Sequence, residues 1–370
     1  MKLGAYITQT DERNTDLAVT NHLGVSIEKR FVPSIANTVG TDLSKYKVVH
    51  PGEFAYGPVT SRNGDKVSIA HLQGDACIIS SSYTSFRVID DALNPDYLML
   101  WFMRPEFDRY ARFKSHGSAR EIFDWEQLCD VDLPIPSLTE QQKIVDSFKA
   151  IDDRISALQQ LNDKLAAAVH TALLAIESND CKVVELGQIS ELISRGITPK
   201  YQENTGQTVL GQRCVRNNMI DFEPSREHLP RTINEKWLRY GDLLINSTGM
   251  GSLGRTAQIW FEPHNMVVDT HITIVRLADL ELALYVGFWA FAHERDIEAM
   301  HIGSTGQTEL PRDKVKTLEI PIPKPSTLAS FNSLACPATQ LMIANQKEQT
   351  YLYKLRNTML ENLAGVTVSY

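Results

Sequence analysis

The tract Asp132-Leu133-Pro134-Ile135-Pro136 returns about 187 residues later as Glu319-Ile320-Pro321-Ile322-Pro323. Three further pairs keep the same order and nearly the same spacing: residues 46–54 (YKVVHPGEF) with 238–243 (LRYGDL), residues 77–88 with 266–277, and Gly117-Ser118 with Gly303-Ser304. The first of these pairs predicts a turn followed by a strand, and the second predicts strands. Because chance similarity seldom preserves both order and spacing, the matches indicate a duplicated domain.

A long helical pattern follows the first tract. Thr139 is predicted to cap this helix, with Gln142 reaching back toward the preceding chain. Apolar residues then recur at spacings of four and three, which is typical of a coiled-coil seam. The seam positions are Ile144, Phe148, Ile151, Ile155, Leu158, Asn162, Leu165, Val169, Ala172 and Ile176.

The second half ends in a weaker version of the same pattern. Its seam positions are Phe331, Leu334, Ala338, Leu341, Asn345, Glu348, Leu352, Leu355 and Met359. Pro337 lies within the pattern, so we expect the second helix to restart or kink there. Asn162 and Asn345 each place one amide in a seam, where a buried Asn is costly unless it meets a partner. We therefore expect the two helices, each on the order of 50 Å long, to pair with each other. Packing of each helix on its own domain is the alternative.

Length and composition indicate a water-soluble globular protein of two to three domains. The chain has 370 residues, of which 43% are hydrophobic and 22% charged. The longest apolar run, Leu282 to Ala292, is far shorter than the roughly 20 residues that cross a bilayer. The N-terminus carries no stretch typical of a secretory signal. We therefore expect a cytoplasmic protein without a membrane partner.

The cysteine spacing and the net charge bear on metal binding, disulfide formation and nucleic-acid binding. The five cysteines lie far apart and form no Cys-x-x-Cys pair, which predicts reduced thiols rather than a zinc site or a disulfide framework. The net charge of −8 argues against indiscriminate nucleic-acid binding, which depends on neutralising phosphates. Any surface that faces DNA must therefore be locally basic.

Three motifs resemble catalytic or cofactor sites without completing one. Residues 249–254 fit the G-x-G-x-x-G pattern of dinucleotide-binding proteins, but a predicted strand follows where that fold requires a helix, so a hairpin is favoured. Asn94-Pro95-Asp96-Tyr97 lacks the second proline of an amino-methyltransferase motif and predicts a helix start. Asp269-Thr270-His271 lies in a strand-like run whose counterpart, Ser80-Ser81-Ser82, has neither acid nor imidazole. No complete catalytic site is predicted, and neither is a metal site.

The chain resembles the specificity subunits of type I restriction-modification systems. The resemblance is carried by Leu133-Pro134-Ile135-Pro136 followed by Thr139-Glu140-Gln141-Gln142-Lys143-Ile144. Weaker matches are Leu186-Gly187-Gln188-Ile189, Gly196-Ile197-Thr198-Pro199, Gly241-Asp242-Leu243-Leu244 and Gly251-Ser252-Leu253-Gly254-Arg255. The segment after the second Pro-rich tract departs from this pattern, because residues 324–329 lack the Glu-Gln pair and Pro337 follows.

The resemblance implies an α+β fold. Two similar globular α/β target-recognition domains would each be followed by a long helix, and the two helices would pack as an antiparallel coiled coil with pseudo-two-fold symmetry. The implied boundaries are 1–136 for the first recognition domain, 137–178 for the first spacer helix, 179–323 for the second domain, and 324–370 for the second spacer helix and C-terminal tail.

The resemblance also implies a function and partners. Each domain would read one half of a bipartite target in double-stranded DNA, while the helices fix the spacer and dock two modification (methyltransferase) subunits. Restriction subunits, which translocate and cut DNA, would join the complex. The chain itself would be non-catalytic and hold no cofactor, since S-adenosylmethionine and ATP would be bound by the partner subunits.

Candidate DNA contacts follow from what base reading requires. Arg, Lys, Asn and Gln are needed near base edges, with further Arg and Lys on phosphates. In the first half the candidates are Arg62, Asn63, Lys66, Lys114, Ser115, His116 and Arg120. In the second half they are Arg213, Arg216, Asn217, Asn218, Asn246, Ser247, Thr248, Arg255, His301, Ser304, Thr305 and Gln307. Polar loop residues are often only solvated, so we predict the clusters, rather than every member, to contact DNA.

Two other classes of function compete with this hypothesis. A scaffolding protein could recruit partners through its helices without reading DNA, and the net acidity favours that alternative. An autonomous enzyme is disfavoured because no catalytic site is assembled in the sequence. Polar, Arg-bearing loops at matching places in both halves favour the DNA reader.

Overall fold

The computed structural model describes residues 1–36, 40–61, 63–64, 66–116, 121–177, 181–229, 235–249, 251–303 and 308–363. The chain divides into two compact units, which we call the first unit (Met1–Ser156 with Gln349–Tyr370) and the second unit (Ala157–Glu348). Both divisions fall inside long helices, so the domain boundaries implied by the sequence stay a prediction.

The first unit is built on a mixed arrangement of short strands and helices. Its strands are β1 (Ile7–Thr10), β2 (Leu23–Val25), β3 (Phe31–Pro33), β4 (Lys47–Val49), β5 (Phe54–Tyr56), β6 (Ile69–His71), β7 (Cys77–Ile79) and β8 (Thr84–Val88). Its short helices are α1 (Pro95–Met103), α2 (Pro105–Lys114) and α3 (Trp125–Cys129), and the long helix α4 (Leu138–Glu177) begins here. The central sheet has the order β1-β8-β5-β6.

The second unit repeats this plan. Its strands are β9 (Lys182–Glu185), β10 (Ser190–Arg195), β11 (Thr208–Leu210), β12 (Val215–Arg216), β13 (Met219–Ile220), β14 (Arg226–Glu227), β15 (Leu243–Asn246), β16 (Thr256–Gln258), β17 (Met266–Val268), β18 (Ile272–Leu277) and β19 (Glu319–Ile322). Its short helices are α5 (Ala283–Ala292), α6 (Glu294–Ala299) and α7 (Arg312–Lys316), and the long helix α8 (Pro325–Asn362) begins here and ends in the first unit. Its central sheet has the order β10-β18-β15-β16. The two sheets correspond strand by strand, with β10, β18, β15 and β16 in the places of β1, β8, β5 and β6, as expected for a duplicated domain.

Apolar clusters cover both faces of each central sheet. Successive residues of a strand point to opposite faces, so neighbouring residues belong to different clusters. In the second unit, Leu243 and Ile245 of β15 pack with α5, whereas Leu244 packs in a separate cluster with Ile220 and Ile274. In the first unit, Phe54 and Tyr56 of β5 join the aromatic core that contains α1. Their neighbour Ala55 faces a smaller cluster with β7. The inner strands β5 and β15 therefore consist of nearly continuous buried apolar runs.

The repeated Pro-rich tract has the same structural role in both units. The Tyr97 hydroxyl on α1 donates a hydrogen bond to the carbonyl of Pro134 (3.1 Å), and the Tyr285 hydroxyl on α5 donates one to the carbonyl of Pro321 (2.5 Å). Prolines have no amide hydrogen to place in a sheet, so the tract fits only at an edge. In the second unit that edge is the pair of β19 with β9.

Gln141 belongs to the Thr-Glu-Gln-Gln motif that follows the first Pro-rich tract, and its hydrogen bonds show what this glutamine does. Its side chain is completely buried. Its amide nitrogen donates to the carbonyls of Ala92 and Pro136 (2.7 and 2.8 Å), and its oxygen accepts from the amide of Asn94 (2.8 Å). Asn94 in turn caps α1, with Pro95 in its first turn, as the sequence predicted. Gln141 thereby fixes the start of α4 against the start of α1.

The two long helices run antiparallel where they meet. In the first unit, Arg356 of α8 donates to Asp152 of α4 (2.7 Å), and Gln349 donates to the carbonyl of Ile155 (3.2 Å). Residue numbers thus rise along α4 as they fall along α8. The α+β class with long antiparallel helices is therefore confirmed.

The seam of α4 follows the predicted spacing, but that of α8 does not. On α4, Phe148, Ile155, Leu158, Val169 and Ile176 are buried, Ile144, Ile151, Leu165 and Ala172 are half-buried, and no seam position is exposed. On α8, Phe331, Ala338 and Asn345 are buried, and Leu352 and Met359 are half-buried.

The remaining predicted positions of α8 differ from the structure. Leu341 and Leu355 are 43% and 50% exposed, and Leu334 is also exposed. Ala335, Met342 and Arg356, which follow these three leucines, are covered instead, and the predicted position Glu348 is half-buried. Hydrophobicity favoured Leu355 over Arg356, which bonds to Asp152 of α4. Ala335 and Met342 are apolar like the leucines beside them, so apolar spacing alone did not distinguish these positions.

The predicted cap of α4 was wrong, and the restart of α8 that was one of the two alternatives at Pro337 is not found. The α4 cap is Ser137 with Glu140: the Glu140 amide donates to the Ser137 hydroxyl (3.3 Å), and the Glu140 carboxylate accepts from the Ser137 amide (3.1 Å). The capping box therefore lies two residues before the predicted pair. α8 continues through Pro337 without a restart. Pro337 is exposed, so water can satisfy the carbonyl that loses its helical partner.

The Asn residues of the two seams meet in the second unit. Asn345 Nδ2 donates to Asn162 Oδ1 at 2.7 Å. Asn345 is buried, so a side-chain amide without a hydrogen-bond partner at this position would destabilise the fold, whereas an exposed amide can bond to water. The pair selects one register of α4 against α8.

Removing one Asn of this pair should cost more than removing both. Asn345→Leu should lower the free energy of unfolding by about 1–3 kcal/mol, because Asn162 loses its donor. The double Leu variant should recover most of that loss. Denaturant unfolding of the single and double variants measures the coupling, with Leu341→Asn as an exposed control. Additive effects within about 0.5 kcal/mol would contradict the pairing.

Over the described part of the chain, no helix is both long enough and apolar enough to cross a bilayer.

Candidate nucleic-acid interface

In the first unit, the two candidate stretches lie side by side. The Thr60 hydroxyl donates to the Ser115 hydroxyl (2.9 Å), and the Thr60 amide donates to the carbonyl of Glu121 (3.0 Å). Asn63 Nδ2 donates to the carbonyl of Val59 (3.3 Å), which closes the turn after that segment. The structure therefore brings the polar turn near residue 63 next to the polar end of α2.

The second unit brings the corresponding segments together in the same way. In the first unit, Ile122 bridges to both Val59 and His116, and in the second unit Glu309 bridges to both Thr248 and Ile302. One residue after Ile122 and one residue after Glu309, a backbone hydrogen bond joins the same segments again. The Phe123 amide donates to the carbonyl of Pro58, and the Leu310 amide donates to the carbonyl of Ser247, both at 2.8 Å. The same three-segment platform is thus present in each unit.

A polar network extends this platform in the second unit. Thr248 Oγ1 lies 2.8 Å from His271 Nδ1 and accepts from Gln212 Nε2 (2.9 Å). Asn246 Nδ2 donates to the carbonyl of Gln212 (3.0 Å). Gln212 follows β11 and His271 follows β17, and these strands are parallel neighbours, so their ends meet at one edge. The network gathers donors and acceptors of the kind that reads base edges.

Gly196 and Asp269 hold the edge of this network in place. A Cβ on Gly196 would lie 2.1 Å from the carbonyl oxygen of Val268, so only glycine permits the close approach that the Gly-Ile-Thr-Pro motif requires. Burial raises the pKa of Asp269, and the His271 amide, which donates to Asp269 Oδ1 (2.9 Å), opposes that rise. Asp269 therefore fixes the backbone beneath His271.

Some candidates are buried and serve the platform instead of facing outward. Asn246 and Ser247 are completely buried, and the Ser247 hydroxyl lies 2.7 Å from that of Thr273. Asn218 is also buried. As buried side chains, these three are not accessible to a base edge in this structure.

Other candidates are accessible. Lys66, His116, Arg213, Arg216, Asn217 and His301 are exposed, and Asn63, Lys114, Ser115, Thr248 and Arg255 are half-buried. Lys66 pairs with Glu28 (3.0 Å) and Lys114 with Asp130 (3.7 Å). Exposed ion pairs of this kind contribute little, so either lysine can exchange its carboxylate for a phosphate. Arg62, Arg120, Ser304, Thr305 and Gln307 lie outside the described residues.

A buried ion pair, missed by sequence reasoning, positions the stretch around Lys66. Lys29, at the turn between β2 and β3, donates to Asp108 Oδ1 on α2 at 2.7 Å. The same oxygen accepts from the Val67 amide (3.0 Å). Burial lowers the pKa of Lys29, and the charge of Asp108 opposes that shift. Lys29 and Asp108 are distant in sequence, so no local pattern predicted their contact.

The glycine-rich motif that resembles a dinucleotide-binding loop has a structural role. β15 and β16 pair antiparallel, so residues 247–255 connect a hairpin, as predicted, and do not form a dinucleotide loop. Gly254 has φ +84°, and a Cβ there would lie 2.8 Å from the carbonyl oxygen of Glu294 on α6. The Gly-Ser-Leu-Gly sequence thus packs the hairpin against a helix.

Comparisons with known proteins agree with this architecture. A family model described as the type I restriction modification DNA specificity domain matches residues 52–167. The type I restriction enzyme MjaIX specificity subunit of Methanocaldococcus jannaschii is 23% identical over 307 residues, which cover 74% of this chain and 69% of that protein.

A solved structure extends the similarity to nearly the whole chain. The crystal structure of a type I restriction-modification system S subunit from M. genitalium matches with a TM-score of 0.64, covering 98% of this chain and 95% of that one. At 15% sequence identity, this match shows a shared fold. Together with the family domain and the related sequence, it confirms the predicted resemblance: the chain is similar to the specificity subunits of type I restriction-modification systems in sequence and in fold.

Proposed function

We propose that the chain is a non-catalytic DNA reader in which each unit recognises one half of a bipartite target. The observation that carries the proposal is the platform found in both units, in which Val59, His116 and Ile122 correspond to Thr248, Ile302 and Glu309. A duplicated platform with polar, exposed neighbours suits two separate half-sites better than one ligand pocket. Rigidly linked half-site readers also gain affinity through effective concentration.

The long helices would fix the spacing between half-sites and dock the methyltransferase subunits. Exposed apolar side chains support docking. Within the second unit, Leu161 of α4 and Leu334 and Leu341 of α8 are exposed, and within the first unit Tyr351 and Leu355 of α8 are exposed. Partner helices could cover such side chains. S-adenosylmethionine and ATP would be bound by the methyltransferase and restriction subunits, and we expect the complex in the cytoplasm.

Exchanging one recognition domain should change only one half of the methylated site. The test replaces residues 1–136 with the first half of another family member and maps methylation across the genome. The donor should retain Asn94, because its side-chain oxygen caps α1 and its side-chain amide donates to Gln142 Oε1 on α4 (3.1 Å). A reciprocal exchange of residues 179–323 is the matched control and should change the other half.

The outcomes separate the proposal from its rival. A change in both halves of the site after the first exchange would contradict independent reading. A scaffold that recruits partners without reading DNA predicts an unchanged methylated site after either exchange. An adenine methyltransferase encoded beside this chain would favour the DNA reader, and its absence would favour the scaffold.

A further inference from the structure

An arginine outside the predicted clusters lies over a tyrosine ring in the second unit. The guanidinium carbon of Arg226 lies 3.4 Å from the ring centroid of Tyr201. Both side chains are exposed, and Tyr201 is 45% accessible. A guanidinium stacked on a ring keeps its plane fixed while its N–H groups point outward, so less freedom is lost when it binds a ligand.

The guanidinium of Arg226 makes no hydrogen bond or ion pair with any residue that the structure describes. The adjacent Glu227 is committed elsewhere, because its carboxylate accepts from the Thr205 amide at 2.6 Å. By contrast, Arg195 and Arg276 donate to Glu309 and Asp242. Within the described part of the chain, Arg226 is therefore a preorganised donor without an ion-pair partner.

Strand register places Arg226 beside the candidate interface. β14 pairs antiparallel with β11, and Arg226 lies opposite Val209. β11 runs on toward Gln212, which donates to Thr248. Three residues of extended chain separate Val209 from Gln212, which corresponds to about 10 Å. The arginine thus lies at the edge strand next to the polar network of Gln212, Thr248 and His271.

We propose that Arg226, held by Tyr201, donates to a paired acceptor on DNA in the half-site read by the second unit. The acceptor is either the O6 and N7 atoms of a guanine or two oxygens of a phosphate, because both match the guanidinium fork. This proposal rests on the proposed function of the chain as a DNA reader. Tyr201 is a positioning residue that acts through Arg226.

The test measures binding by the assembled complex of this chain with its methyltransferase subunits. Targets varied at each position of the second half-site are compared for the unmodified chain, Arg226→Ala, Arg226→Lys, Tyr201→Ala and Tyr201→Phe. Lys314→Ala, which removes an exposed positive charge on α7, is the matched control. Preference at the first half-site serves as the internal measure of intact folding.

Each acceptor predicts a different result. If Arg226 reads guanine, Arg226→Ala and Arg226→Lys should both weaken the preferred target by roughly 5- to 150-fold and relax one position only. If it binds phosphate, Arg226→Ala should weaken all targets equally and reduce the salt slope by about one, while Arg226→Lys keeps most of the affinity. In both cases Tyr201→Ala should weaken binding in the same way as Arg226→Ala, and Tyr201→Phe should have little effect on binding because the ring remains.

Failure of this inference is distinguishable from failure of the proposed function. If the unmodified complex discriminates among targets but Arg226→Ala matches Lys314→Ala in affinity, specificity and salt slope, Arg226 is not a contact. Loss of preference at both half-sites in Arg226→Lys would also overturn it, because that variant keeps the charge and should affect one half only. A complex that shows no sequence preference at all would instead contradict the DNA-reading function.

Discussion

Adding seven residues to both long helices should widen the gap between the two halves of the target while leaving each half unchanged. A helix rises 1.5 Å per residue, so one heptad adds about 10 Å, which corresponds to about three base pairs of DNA. A heptad nearly preserves the phase of the seam, because seven residues drift by only about 20° from whole turns. The matched insertion should therefore extend the rods without breaking their contact.

The contacts of α4 with α8 decide where the insertions belong. The insertion in α4 should lie between Ile155 and Asn162, and that in α8 between Asn345 and Gln349, because Ile155 contacts Gln349 and Asn162 contacts Asn345. An insertion near Leu158 of α4 alone is the mismatched control. It would leave seven residues of α4 without partners, so the complex should lose affinity. Methylation mapping of the matched variant tests the spacer role, and an unchanged gap would refute it.

Removing the carboxylate of Asp242 should destabilise the second unit by about 3–5 kcal/mol, because it leaves a buried charge without its partner. Arg276 Nε and Nη2 each donate to Asp242 at 2.7 Å, and the side chains of Arg276 and Asp242 are 7% and 0% exposed. Arg276 also donates to the carbonyls of Glu235 and Trp237. This pair gives the Gly-Asp-Leu-Leu motif a structural reason.

Denaturant unfolding of Asp242→Ala measures this effect. Glu191→Ala is the matched control, since Glu191 lies 3.9 Å from the same guanidinium but is half exposed. Exposed pairs contribute about 0–1 kcal/mol, so the control should unfold nearly as the unmodified chain does. Equal effects of the two substitutions would show that burial of Asp242 does not govern the energetics.

Patterns that depend on neighbouring residues were readable from the sequence. The heptad spacing of α4, the cap formed by Asn94 and the hairpin after β15 all depend on side chains a few residues apart. The α8 seam was harder, because its alternate positions include Gln349 and Arg356, whose place depends on acceptors provided by α4. Hydrophobicity alone therefore favoured Leu355, which is exposed, over Arg356.

Repeats and heptads are periodic along the chain, so the duplication and the long helix α4 were predictable from the residues, and the α+β fold class followed from the family resemblance of the quoted motifs. Which polar residues meet depends on the tertiary fold. Gln212, Thr248 and His271 form one network because β11 and β17 are parallel neighbours, and Arg226 lies beside it because β14 pairs with β11. Such contacts join residues far apart in sequence, where no local spacing records the register of one strand against another.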